Sequence, residues 1–348
     1  MSEENRLAHL ALLEGSGFSY ARVMGLVWAS PYGLLFPTKI NAEAGGLLAE
    51  LVTQQRKGKP LVLNCHGLSA IDNHAVSSLR DALSTPGAEV LFTDASGLET
   101  SLETMLGRSA ASFPLPVGDM TQSSVVRREG NERILVYGGG PTDQSAVQEL
   151  TRQAHDLERE EVNRLVRQCY RRVDRRMHST PLKASGIFNA RSLISDPRSF
   201  MWVSLLLGDL LEQALKKRQL RRYRVLAVSL RGSPFAASVA LIHARRRFEV
   251  EIIDHLGPKH KILEEYTLRK EPQCPDYVYV ADFIVGGTEL KIASTYAHTK
   301  GARVAHALAI GSALEPDAYS TDEMQISCLL NLRKCVPELE LAFLDRED

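Results

Sequence analysis

"YVADFIVGGTELKIA", Tyr279 to Ala293, sets three patterns end to end. It begins as an apolar, strand-like run and passes one acid at Asp282. It then crosses a turn at Gly286 and Gly287 and enters helical spacing at Thr288. A strand followed by a glycine turn and a helix is the building unit of α/β proteins. The junction has a plain use as a connector. It also has a sharper one. Backbone amides at a glycine-rich turn entering a helix converge, and the helix dipole adds positive potential there, so the turn suits an anion.

The same pattern recurs on both sides. "YRVLAVSLRGSPFAASVALIHARRR" (Tyr223–Arg247) reads as strand, tight turn and helix. "FEVEIID" (Phe248–Asp254) and "ARVAHALAIG" (Ala302–Gly311) read as further strands. Strands alternating with helices imply a parallel sheet with right-handed crossovers. Ligands of such sheets sit at the carboxyl ends of the strands. The loops after Leu230, Asp254 and Ala281 all fall at that edge.

These residues resemble the type I phosphoribosyltransferases, most closely the orotate phosphoribosyltransferases, over about residues 175–312. Val280-Ala281-Asp282-Phe283-Ile284-Val285-Gly286-Gly287-Thr288 is similar to the family's ribose-phosphate motif, Asp-Asp, two hydrophobics, then Thr-Ala-Gly-Thr. Arg231-Gly232-Ser233-Pro234-Phe235-Ala236 is similar to its pyrophosphate loop, Lys-Gly-x-Pro-x-Ala. "LKASGIFNARSLISDPRSFMWVSLLLGDLLEQAL" (Leu182–Leu215) resembles its hood segment. The resemblance implies a magnesium-assisted displacement of pyrophosphate from phosphoribosyl pyrophosphate by a base nitrogen. On that reading Asp282 holds the ribose hydroxyls and shares the Mg2+. Gly286, Gly287 and Thr288 hold the 5′-phosphate. Arg231, with Gly232 and Ser233, meets the pyrophosphate. Lys259 and Lys261 stand in the loop corresponding to the one that closes over the site. Asp254 ends its strand and either faces the site or caps a turn.

Three departures weaken the match. Ala281 takes the place of the first acid of the pair, and Val285 that of a hydroxyl residue. "HLGPKHKILEEY" (His255–Tyr266) lacks most of the closing-loop pattern. Loss of closure would leave water in the site. Orotate is therefore not expected as the substrate. A second reading, of another class, is a catalytically silent ligand sensor or interaction module. The resemblance also implies a setting for it, since such proteins with added domains act as effectors in bacterial phage-defence systems, including retrons.

The chain has 348 residues, more than one ordinary core holds, so two domains are expected. The first spans 1–142, a smaller α/β domain that regulates or binds a partner. A long helix over 143–178 follows, and then the phosphoribosyltransferase-like domain over 179–348. In the first, "KPLVLNCHGLSAIDNHAVSSL" (Lys59–Leu79) resembles the loop and helix of STAS domains through Gly67, Ile71, Asp72 and Asn73. Asp72 and His74 are read as serving the loop rather than as a catalytic pair. "RVMGLVWAS" (Arg22–Ser30) and "YGLLFPT" (Tyr32–Thr38) read as strands joined by a turn, and "LETSLETMLG" (Leu98–Gly107) as a short helix.

The 42 basic residues balance the 42 acidic ones, which removes any general attraction to nucleic acid or anionic membrane. The arginine-rich stretch 159–176 of the long helix is read first as a solvated face, and otherwise as a ridge for nucleic acid or an acidic protein partner. A homodimer is a family-based expectation. The five cysteines and the histidines show no metal-binding spacing. Scattered cysteines, a polar N-terminal start and apolar runs too short to span a bilayer point to a cytoplasmic protein without a membrane segment.

Overall fold

A computed structural model describes residues 10–23, 39–40, 42–54, 59–65, 68, 70–83, 90–93, 124–127, 133–137, 144–176, 182–218, 223–228, 231–242, 249–253, 276–314 and 324–343. The chain divides into two compact units, Met1–Arg159 and Glu160–Asp348. The α/β expectation is borne out in both.

The first unit is built on a six-stranded sheet of mixed direction. Strands β1 (Leu10–Glu14) and β2 (Ser19–Val23) form an antiparallel hairpin. A two-stranded parallel ladder joins β3 (Lys39–Ile40) to β5 (Ala70–Ile71) beside it. Next to β2 run β4 (Leu61–Asn64) and β6 (Val90–Thr93), both parallel to it. β8 (Arg133–Tyr137) and β7 (Ser124–Arg127) close the far side antiparallel. Alternate residues of a strand face opposite sides. Leu61 and Leu63 therefore meet helices α1 (Ala42–Gln54) and α2 (Asn73–Leu83) in one apolar core with Leu48, Val52, Ala75 and Leu79. Asp72 starts α2 by accepting the His74 amide at 3.0 Å, the loop role expected of it.

The opposite face carries a buried polar cluster. Arg22, Asn64 and Thr93 share one rung at the carboxyl ends of three parallel strands. Glu158, on helix α3 (Gln144–Cys169), accepts from Tyr20 Oη at 2.8 Å and from the Arg22 guanidinium at 3.3 Å. Asn64 Nδ2 donates to Tyr20 Oη at 3.1 Å. Burial, reinforced by the Glu158 charge, pushes the Tyr20 phenol well above its ordinary pKa.

The second unit carries a five-stranded, all-parallel sheet in the order β12-β11-β13-β14-β15. Its strands are β11 (Tyr223–Val228), β12 (Val250–Ile253), β13 (Asp276–Ile284), β14 (Val304–Ser312) and β15 (Gln325–Asn331). β13 and β14 are buried almost end to end, as strands covered on both faces must be. Helix α6 (Ser233–Ile242) follows β11, and α7 (Thr288–Thr299) follows β13. Leu290, Ala293, Tyr296 and Ala297 of α7 meet Tyr277, Tyr279 and Ala281 in the core. Arg224 reaches Glu249 at 2.6 Å and Glu251 at 3.0 Å, and Tyr277 Oη donates to Glu251 at 2.9 Å. These contacts tie three neighbouring strands together at their amino ends.

Helix α5 (Pro197–Arg218) is buried around its whole girth from Phe200 to Gly208, as its all-round apolar sequence requires. It follows the single-turn α4 (Arg191–Ser195). Asp196 accepts the Ser199 amide at 3.1 Å, and Pro197 takes the first helical position, which has no amide partner to lose. Short α8 (Leu332–Cys335) follows β15 and is capped by the Asn331 side chain, whose Oδ1 accepts from the Arg333 and Lys334 amides.

One reading is corrected. The long helix expected over 143–178 ends at Cys169, and the chain passes directly into strand β9 (Tyr170–Arg176). β9 pairs antiparallel with β10 (Leu182–Phe188), which also pairs with β16 (Leu341–Phe343). The ladder takes the backbone groups that a continued helix would have used, and the Tyr170 ring packs on Phe188 at 5.2 Å. Tertiary pairing has overridden helical spacing. The stretch 159–176 is thus part helix, part edge strand, and not one basic helical ridge. Residues 24–38, 98–107 and 254–275 lie outside the described residues, and with them the strand pair beyond Val23, the helix at 98–107, Asp254, Lys259 and Lys261. No described helix is long and apolar enough to cross a membrane.

Candidate functional site

In chain order the strands of the second sheet run 2-1-3-4-5 across it. The order reverses between β11 and β13. At such a switch point the loops following the two strands leave in opposite directions and open a crevice at the carboxyl edge. The loop after β11 carries Arg231, Gly232 and Ser233; the one after β13 carries Gly286, Gly287 and Thr288. Two of the three loops singled out in the sequence, those after β11 and β13, therefore border this crevice.

Each loop is shaped by a glycine. Gly287 has φ 72°, the left-handed region that disfavours a side chain, and stands as the residue capping α7. Its carbonyl accepts the Lys291 amide at 3.0 Å, so the helix begins at the turn itself. No side chain caps the first amides of α7. Gly232 starts α6 in the same way, accepting the Ala236 amide at 3.0 Å. It is buried against β13, where a Cβ would stand 3.1 Å from the Val280 carbonyl oxygen. Two helix amino ends thus begin at one edge of the sheet, each contributing positive potential.

Asp282 lies near the end of β13, only 6% exposed. Its Oδ1 accepts the Phe283 amide at 2.7 Å. Burial raises its carboxyl above the ordinary value; the Phe283 amide and the Arg231 positive charge oppose that shift. Arg231 itself is exposed. Its charge acting on Asp282 joins the two loops, 51 positions apart in the sequence.

Ala281, at the position of the missing acid, is 2% exposed and packs in the core with Leu290 and Ala293. No other described carboxylate compensates for it at the turn. Glu289, in the first turn of α7, is engaged by the Tyr279 hydroxyl at 3.4 Å. The described residues contain no group of three or more His, Cys, Asp or Glu suited to hold a metal. Magnesium binds hard oxygens and keeps several of its waters. A carboxylate that is buried and already hydrogen-bonded fits that ion poorly.

Three further neighbours were not legible in the sequence. Phe188 of β10 stacks on Phe283 at 4.9 Å, setting the small sheet against the residue next to Asp282. Cys169 Sγ lies 3.5 Å from Ser192 Oγ. Burial raises that thiol's pKa, and the charge of Asp282 raises it further. Cys169, Phe188 and Ser192 come from segments far from the turn, and no local pattern marks them.

No family model matches the chain, and no curated protein does. Solved structures similar to its C-terminal half include orotate phosphoribosyltransferase from Aeropyrum pernix, at 19% identity over 52% of this chain and 96% of that one, with a TM-score of 0.37. A phosphoribosyltransferase from Corynebacterium diphtheriae is 18% identical over 51% of this chain and 98% of that one, with a TM-score of 0.36. UMP synthase of Leishmania donovani aligns with 86% of this chain at 10% identity and a TM-score of 0.37.

Proposed function

We propose that the second unit binds a phosphorylated ribose compound, phosphoribosyl pyrophosphate or a nucleotide, in the crevice between β11 and β13. The observation that carries this reading is the convergence of two glycine-shaped loops, each opening a helix, on one buried carboxylate at the switch point. The amides at Gly287 and Thr288 suit a phosphate, and Asp282 suits vicinal hydroxyls. Arg231 and the α6 amino end add positive charge for the ligand's phosphate oxygens.

Where the ligand is phosphoribosyl pyrophosphate, an acceptor's lone pair would attack C1′, and the C1′–O bond would break with its electrons leaving on pyrophosphate. Positive charge then develops on the sugar, and a carboxylate at Asp282 would stabilise it electrostatically. The first unit, with its own sheet and core, serves as a regulatory or partner-binding module.

The test is calorimetric titration of the full chain with phosphoribosyl pyrophosphate in magnesium and, separately, with a nucleoside 5′-monophosphate. Wild type and D282N are compared. Saturable binding of either compound, weakened at least about tenfold in D282N, is expected from loss of a charge-assisted hydrogen bond. Absence of binding by both compounds to folded wild-type protein overturns the reading.

A further inference from the structure

Among the described residues, the crevice offers anion-binding groups on both loops but little for a hydrated divalent cation. Asp282 is 6% exposed, with Oδ1 held by the Phe283 amide. Position 281 contributes a methyl group to the apolar core instead of an oxygen. Glu289 is turned to the Tyr279 hydroxyl. Arg231, exposed at the amino end of α6, brings positive charge to bear on Asp282. Gly232 beside it is locked against β13, so the Arg231 backbone has a fixed anchor.

From this geometry we infer that the site takes a singly phosphorylated ribose, as in ribose 5-phosphate or a nucleoside 5′-monophosphate, without a divalent cation, and that Arg231 supplies the positive charge. The inference rests on the phosphoribose reading above and narrows it. A phosphomonoester needs one anion cradle, and the turn at 286–288 is one. A diphosphate at C1′ concentrates more negative charge, for which magnesium is the usual partner. Arginine matches phosphate oxygens with fixed, paired N–H donors and stays charged at all working pH values. Asp282 is then left to bind the ribose hydroxyls, a task that its hydrogen-bond capacity serves even in a half-dry pocket. Such a site is suited to sensing a phosphoribose compound rather than to expelling pyrophosphate.

The experiment measures binding of ribose 5-phosphate and of phosphoribosyl pyrophosphate to the full chain by calorimetry. Each titration is run once with magnesium chloride and once with EDTA. Wild type and R231Q are compared, and circular dichroism confirms that both are folded. Arg231 is exposed, so the exchange leaves the core untouched. Ribose 5-phosphate is expected to bind wild type with the same Kd in both buffers, within about twofold, and R231Q about tenfold more weakly, the loss of one charged hydrogen-bonding partner. Magnesium is expected to give phosphoribosyl pyrophosphate no advantage over ribose 5-phosphate. Binding of phosphoribosyl pyrophosphate that requires magnesium and exceeds that of ribose 5-phosphate overturns this inference and leaves the phosphoribose site standing. Unchanged affinity in R231Q overturns the role given to Arg231. Binding of neither compound overturns the inference and the site together.

Discussion

Gly232 lies so close to β13 that a methyl group added to it would stand 3.1 Å from the Val280 carbonyl oxygen and 3.6 Å from the Ala281 Cα. Both are backbone atoms of a buried strand and cannot swing aside. The loop after β11 is therefore seated directly on the strand that carries Asp282. G232A should cost about 1 kcal/mol of unfolding free energy, with loss of ligand affinity beyond what that destabilisation explains. Urea unfolding and calorimetry on the same preparation check this. Unchanged affinity would show that the seat of the loop is irrelevant to the crevice.

Phe188 is held between Tyr170 at 5.2 Å and Phe283 at 4.9 Å. It is 6% exposed, so F188A opens a cavity and should cost about 3–5 kcal/mol, while F188L, which keeps most of the volume, should cost far less. Because Phe283 adjoins Asp282, F188A should also weaken ligand binding. Thermal melts separate the two variants, and equal losses would mean that the ring stack does not hold the small sheet.

The Asp282 carboxyl gives a pH signature. Burial raises its pKa above the ordinary 3.8, so the native state holds the proton more tightly than the unfolded chain does. That contribution to stability is full below the unfolded pKa and is lost as pH rises through the native value. D282N lacks this step. The stability advantage of wild type over D282N should therefore shrink as pH is raised across that window. Urea titrations of both at several acidic pH values measure it; curves that stay parallel would contradict the buried, proton-retaining carboxyl.

In the first unit, Glu158 accepts from Tyr20 and Arg22, and the Arg22–Glu158 pair has side chains 2% and 10% exposed. Removing one member of a buried pair leaves the other charge in a poor solvent. E158A should cost about 3–5 kcal/mol, and E158Q, which keeps an acceptor for Tyr20, less. Denaturant unfolding followed by the exchange of amides in β2 and β4 reads this unit directly. Equal and small losses would place the cluster in contact with water.

Local patterns carry much of the fold. The helices starting at Ala42, Asn73, Ser233 and Thr288, and strands β4, β6, β11, β13 and β14, lie where apolar periodicity and glycine turns put them. A strand of four to nine residues and a helix of ten to thirteen announce themselves within their own span. Strand β15, the hairpin β1–β2 and the ribbon β9–β10 were not read. All but the apolar β1 are mixed in polarity, and ladder partners make them strands.

The strand–turn–helix units, the glycines at 232, 286 and 287, and the single acid at 282 follow from local sequence alone. Those depend on side-chain spacing and backbone freedom over a few residues. Long-range packing placed β13 beside β11, which brings the charge of Arg231 to Asp282, and stopped the helix from Gln144 at Cys169, where residues 182–188 compete for its backbone. It also decided that Asp282 is buried and Ala281 belongs to the core. Strand order, pairing and burial are set by contacts between segments distant in the chain, whose free energy no single stretch contains.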